Sequence, residues 1–172
     1  TAFIYRLDSV RPEGPSLILM DDAYANARQP LAQKFVAKDV RGSFVAVANH
    51  FKSKGSGEDD GTGQGKSNPS RTAQAQALID WSAKEFAGEP VFLLGDFNAY
   101  GMEDPVMKIK DAGYTEVVEQ LAPGASTFQY GGRLGSLDHI FANAAAMRMV
   151  SGAGVWDINA DESIAMQYSR RN

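Results

Sequence analysis

Asp96 and Asn98 stand two residues apart at the end of an apolar run, in the stretch Leu93-Leu94-Gly95-Asp96-Phe97-Asn98-Ala99-Tyr100. In a strand, residues i and i+2 point to one face, so the carboxylate and the amide are expected to project together just past a strand's carboxyl end. That edge is where open α/β sheets place their chemistry. Two other apolar runs break in the same way. Phe44-Val45-Ala46-Val47-Ala48 leads into Asn49-His50, and Asp138 interrupts Ser136-Leu137-Asp138-His139-Ile140-Phe141. Singly, each has a plain explanation: a histidine that bonds backbone, an aspartate that caps a turn, an acid at a strand edge. Together they suggest more. A carboxylate beside an amide suits a hard cation such as Mg²⁺, which takes oxygen ligands and keeps several waters. A nearby histidine can donate to a phosphate oxygen or move a proton near neutral pH. The combination fits phosphoester hydrolysis.

The elements that would position these groups can be read from pattern. Thr1–Leu7 reads as a strand, and Leu17–Met20, after Pro12, Gly14 and Pro15, as a second. Residues 30–39 are expected to be extended. Gly42–Phe51 is a strong strand signal. Residues 55–68, rich in glycine and polar groups, read as a mobile loop. Asn68-Pro69 then opens a helix, with Asn68 as N-cap and Pro69 at the first helical position. Its Ala75, Leu78, Ile79 and Phe86 share one face, and Gly88 stops it. Val91–Asn98 is a buried strand, Asp104–Ala112 a shorter helix stopped by Gly113, and Ser136–Asn143 a strand after the turn at Gly131-Gly132. Strands alternating with helices make an α/β fold.

Composition narrows the class. The 172 residues are 44% hydrophobic and 22% charged, enough for one domain with a core. The net charge of -4 argues against holding nucleic acid by bulk electrostatics, so a polyanion must be met by a local site or by bound cations. The absence of cysteine excludes disulfides and thiolate metal sites. No apolar run approaches the ~20 residues that span a bilayer.

Asn49-His50-Phe51-Lys52-Ser53-Lys54, Gly95–Tyr100 and Ser136–Asn143, in that order, resemble motifs of the endonuclease/exonuclease/phosphatase superfamily, to which the DNase I-like nucleases belong. The resemblance covers essentially the whole chain and is closest to large bacterial secreted nucleases. Phe3–Arg6, Arg28-Gln29-Pro30 and Ser70–Leu78 fit that group too. It implies part of a two-sheet β-sandwich flanked by helices, and hydrolysis of nucleic-acid phosphodiesters with Mg²⁺, Mn²⁺ or Ca²⁺. A phosphatase, a phospholipid phosphodiesterase and a non-catalytic interaction domain are the alternatives. By position, His50 matches the histidine that contacts the scissile phosphate. Asp96 matches the aspartate that aligns or deprotonates water and helps hold the metal, and Asn98 the phosphate-binding asparagine. Asp138 matches the aspartate that orients a second histidine. His139 points to the opposite strand face, so a structural or surface role is expected, and its replacement by alanine should do little to turnover.

The resemblance also implies substrate contacts at Lys52, Lys54, Tyr5 and Arg28. The two lysines can equally be solvated, and Arg28 can equally hold a loop by an ion pair. Arg71, in a helix's first turn, opposes the helix dipole and is expected to pair with an acid. Trp81 and Phe86 read as helix packing. Asp59-Asp60 belongs to a solvated loop, with Ca²⁺ binding as the weaker reading. The family's early asparagine, its glutamate and its closing Asp-His pair find no match, so the chain is expected to be the central and later part of a catalytic domain. By resemblance, the compartment is extracellular or periplasmic.

Overall fold

The computed structural model describes residues 1–38, 42–130 and 132–156, so the Gly131 half of the glycine turn lies outside the described residues. In chain order the elements are β1 (Val10–Ile18), a 3₁₀ turn (Asp22–Tyr24), β2 (Leu31–Ala37), β3 (Ser43–His50), α1 (Asn68–Glu85), β4 (Val91–Asp96) and α2 (Asp104–Asp111). They continue with β5 (Thr115–Glu116), α3 (Val117–Leu121), β6 (Phe128–Tyr130), β7 (Arg133–Gly135), β8 (Asp138–Ala142) and α4 (Ala144–Met147). Six strands form one sheet in the order β1-β2-β3-β4-β8-β5, and β6 and β7 form a separate hairpin. The architecture is the expected α/β one.

β3 and β4 are parallel, joined through α1, and every other pairing in the sheet is antiparallel. Their alternate residues Val45, Val47, Val91 and Leu93, with Phe141 of β8, form one buried face. Ala75 and Leu78 of α1 and Val106 and Ile109 of α2 pack on it, with Ile79, Trp81 and Phe86 against the margin. The helix face read from spacing is thus the one that meets the sheet. The other face carries a chain of aromatic contacts, Phe35 tilted against Phe44 and Phe44 edge-on to Phe92.

Three local expectations change. Thr1–Leu7 is not a strand, because the chain turns at Arg6, whose carbonyl takes the amides of Ser9 and Val10. The strand is instead β1, running straight through Pro12 and Pro15. Prolines are tolerated there because β1 is the sheet's edge, its register slips between Glu13 and Leu17, and it is exposed along most of its length. Finally, the N-cap of α1 is Ser67 rather than Asn68, and Asn68 donates instead to the carboxylates of Asp60 (3.0 Å) and Asp104 (2.9 Å).

Arg71 is wholly buried. Its partners are backbone carbonyls, those of Lys66 (2.6 Å), Gln64 (3.1 Å) and Lys52 (3.3 Å), and not the acid expected from its place in the helix. Burial lowers its pKa, while Glu103 and Asp60 oppose that shift as the nearby countercharges. The 55–67 loop is therefore tied down by arginine and by Asn68, rather than trailing free. Gln74 does the same on the next turn. It donates to Ala23 O (3.0 Å) and accepts the amide of Lys52 (2.9 Å), fixing the chain just beyond His50.

Candidate active site

Sheet register assembles the site. His50 at the end of β3 is the direct partner of Asp96 at the end of β4, and Asp96 is the partner of Asp138 at the start of β8. Cross-strand partners share a face, so the three side chains form a row across adjacent strands. They stand on the face opposite the helices. His50 Nε2 lies 3.7 Å from Asp96 Oδ2, with each side chain about one-third exposed, at 36% and 34%.

The turn after β4 sets the row's remaining member. Asp96 Oδ1 accepts the amide of Asn98 (2.8 Å), which leaves Oδ2 facing His50. Asn98 adopts a left-handed backbone (φ 49°), a conformation asparagine tolerates better than most residues. Its side chain donates to Phe51 O (3.1 Å), using one of its two amide hydrogens. Gly95 makes the close approach of β3 and β4 possible here. Its φ is +130°, and a Cβ would sit 2.2 Å from the Asn49 carbonyl oxygen.

Partial desolvation pushes the Asp138 carboxyl above the usual aspartate range, and the Asp96 charge across the strand pair adds to that, against a hydrogen bond from Thr127; the residue stays exposed to water, which screens the effect. A carboxyl raised in the folded state is stabilising while protonated, and that stability is lost as pH rises through its folded pKa. Asp138→Asn should therefore raise Tm at neutral pH, by a small amount because the residue is exposed. The gain should shrink as the pH falls and the native carboxyl takes up its proton. Thermal melts across pH check this, and a gain that persists in acid would be inconsistent with it.

The outlying residues separate on geometry. Lys52 follows the row by two residues, and its ammonium has no hydrogen-bond or ion-pair partner among the described residues. Lys54 is committed elsewhere: its ammonium pairs with both Glu103 oxygens, donates to Gln64 O (2.9 Å) and lies 4.7 Å from the Tyr100 ring centroid. With side-chain exposure of only 20% on Lys54 and 13% on Glu103, this pair holds the loop to α2 and leaves no charge free for a phosphate. Lys54→Met should lower stability by about 1–3 kcal/mol, short of the ~3–5 kcal/mol for breaking a fully buried pair. Lys52→Ala should leave the melting temperature unchanged, and equal losses from the two would refute this division.

Tyr5 packs edge-on against Phe35, ring centroids 5.2 Å apart. Phe35 pairs with Phe44, six residues before His50, so Tyr5 stands roughly 20 Å along the strand from the row at ~3.3 Å per residue. It does not join the site. Arg28 is exposed just ahead of β2, whose Leu31 pairs with Ala48, and so sits on the same sheet edge as His50. No ion pair engages it among the described residues.

His139 is structural, as expected, but it is buried rather than at the surface, only 4% exposed, with Nε2 2.8 Å from Ala99 O and Nδ1 3.6 Å from Glu116 Oε1. It stacks on Phe141 and meets Phe97 edge-on. Glu116 was missed in the sequence because β5 is only two residues long. Its carboxyl, raised by burial, is brought below the usual range by His139 and by the amide of Glu119. Asp59 and Asp60 are occupied in capping Gly61 and Thr62. Among the described residues no cluster of three or more acidic or histidine side chains surrounds a common point.

The sequence pattern of the endonuclease/exonuclease/phosphatase family matches residues 23–168. The chain belongs to that family. Solved structures share the fold with this endonuclease/exonuclease/phosphatase chain at low identity. A functionally unknown conserved protein from Enterococcus faecalis V583 is 17% identical, with a TM-score of 0.61 over 81% of this chain and 57% of its own. A mannosyl-6-phosphatase from Bacteroides thetaiotaomicron is 18% identical (TM-score 0.60, 82% and 55%). D. rerio TDP2 complexed with single strand DNA product is also 18% identical (TM-score 0.57, 81% and 55%). The chain thus spans little more than half the length of these structures. No curated protein sequence matches it. No helix among the described residues is long and apolar enough to cross a membrane.

Proposed function

We propose that this chain carries the catalytic edge of a metal-dependent phosphodiesterase acting on nucleic acid. The observation supporting the reading is the registered row His50, Asp96, Asp138, with Asn98 fixed beside it. Two carboxylates held side by side, one with a raised pKa, make a site that a divalent cation relieves. Asp96, with the side-chain oxygen of Asn98 beside it, offers hard oxygen donors for Mg²⁺ or Mn²⁺, while Asp138 across the strand pair is assigned to orienting a histidine. Such an ion would offset phosphate charge in the transition state. His50 presents Nε2 to a non-bridging phosphate oxygen. Asp96 Oδ2, free of the turn hydrogen bond, accepts the proton of the attacking water. The second amide hydrogen of Asn98 steadies the phosphate, and Lys52 supplies a free positive charge near it. Arg28 is the other exposed cation on this edge. An extracellular or periplasmic compartment is proposed on the resemblance to secreted nucleases alone.

Activity against supercoiled plasmid, single-stranded DNA and RNA, compared with p-nitrophenyl phosphate and sphingomyelin, tests the reading. Release of phosphate from the monoester with polynucleotides untouched would favour a phosphatase, as the relative named a mannosyl-6-phosphatase makes a natural alternative. Two oxygen donors are few for a divalent cation. The chain alone should bind Mg²⁺ with a dissociation constant of roughly a millimolar or weaker. Titration calorimetry giving micromolar affinity that vanishes in Asp96→Ala would show ligands beyond these two.

A further inference from the structure

The β6–β7 hairpin carries an aromatic surface that the chemistry above does not use. Phe128 and Tyr130, at i and i+2 of β6, lie on one face with ring planes 8° from parallel and centroids 6.3 Å apart. Arg133 is the cross-strand partner of Tyr130, so its exposed side chain shares that face. Tyr130 is 75% exposed and Phe128 37%. The face continues toward the Gly95–Tyr100 turn. Gly135, the partner of Phe128, leaves room for the Tyr100 ring, which would lie 2.8 Å from a Cβ at that position.

The hairpin is also joined to the catalytic row. Thr127, the residue before β6, accepts the backbone amides of Leu137 (3.3 Å) and Asp138 (3.4 Å) on its hydroxyl. Its own amide donates to Gly135 O. The aromatic face is thereby held at a set place beside Asp138.

Building on the nuclease reading, we propose that this hairpin is a subsite for unpaired nucleobases of a single-stranded nucleic acid, with bases stacked on Tyr130 and Phe128 and Arg133 on an adjoining phosphate. Flat, parallel, exposed rings suit flat ligands. Bases in a duplex already use their faces on one another, whereas an unpaired base has a face to give. Arg133 supplies local positive charge on a chain whose net charge is negative, as a polyanion requires. The position beside Asp138 lets a strand held on the hairpin deliver its next phosphodiester to the row.

The test is fluorescence anisotropy of the full chain with a labelled single strand of about 12 nucleotides, in EDTA so that no cleavage occurs. The same sequence as a duplex, and phosphatidylserine vesicles, are measured in parallel. Tyr130→Ala should weaken single-strand binding by roughly 5- to 100-fold, the range that loss of base stacking implies, and should leave duplex binding unchanged. Tyr130→Phe should retain affinity. Arg133→Ala should reduce the salt dependence by about one phosphate contact. Tyr130 is exposed, so circular dichroism should show these variants folded. Absence of single-strand binding in the parent chain, or unchanged affinity in Tyr130→Ala, would overturn the subsite. So would a Tyr130 dependence seen with vesicles and not with the oligonucleotide. Binding through Tyr130 in a protein that cleaves only phosphomonoesters would keep the subsite and defeat the nuclease reading. Cleavage of polynucleotides with binding indifferent to Tyr130 would do the reverse.

Discussion

Asp96→Asn should lower kcat of the intact protein on a polynucleotide by roughly 10²–10³, with His50→Ala costing about 10² or more. The asparagine is isosteric and keeps an oxygen for the Asn98 amide, so the turn should survive and only the charge is lost. His50 has little structural duty, since its side chain is about one-third exposed and its nearest charged neighbour is Asp96 at 3.7 Å. Both variants should therefore melt close to the parent. Single-turnover rates, with circular dichroism as the folding control, check the pair. Parent-like turnover in either variant would mean that the row is not where bonds break.

His139→Ala should cost about 3–5 kcal/mol of fold stability, while turnover per folded molecule is still expected to change little. Removing the ring strips the Glu116 carboxylate, 7% exposed, of the polar neighbour whose Nδ1 lies 3.6 Å away, and a buried acid left without a partner is costly. The substitution also empties a space between Phe97 and Phe141 and frees Ala99 O. Because the Glu116 pKa is lowered in the folded state, its contribution is present above the ordinary glutamate range and is lost as pH falls through the folded value. The difference between parent and variant should accordingly narrow in acid. Urea unfolding at neutral and acidic pH measures both. A loss below about 1 kcal/mol would place His139 among ordinary surface changes.

Much of this was legible in the chain. β3, β4 and β8 announce themselves as apolar runs, and α1 and α2 by spacing and by their flanking proline and glycine. Polar residues that interrupt such runs were read as the place to look, because a buried strand has no local reason to end on an acid, and the register brings three of them into one row. What could not be read is pairing. Nothing in Asp138 says that it faces Asp96, since register depends on strands far apart in sequence. β1 was hidden by Pro12 and Pro15, whose usual meaning reverses on an edge. Lys54 and Arg71 misled for a related reason: a long cation shows its charge in the sequence but not whether a carboxylate or a carbonyl has already taken it up. β5, at two residues, is too short for any periodicity.

The row has a kinetic corollary. His50, Asp96 and Asp138 are adjacent in space, yet roughly 45 residues of chain separate each from the next. Closing loops of that length costs entropy before any contact repays it, and proteins with many such contacts fold slowly. The β3–β4 contact, being parallel, cannot nucleate from a hairpin and must wait for α1 to cross over. A nascent or partly unfolded chain can thus hold its helices while the three side chains of the proposed site remain scattered. In refolding experiments, helical signal should return before turnover does.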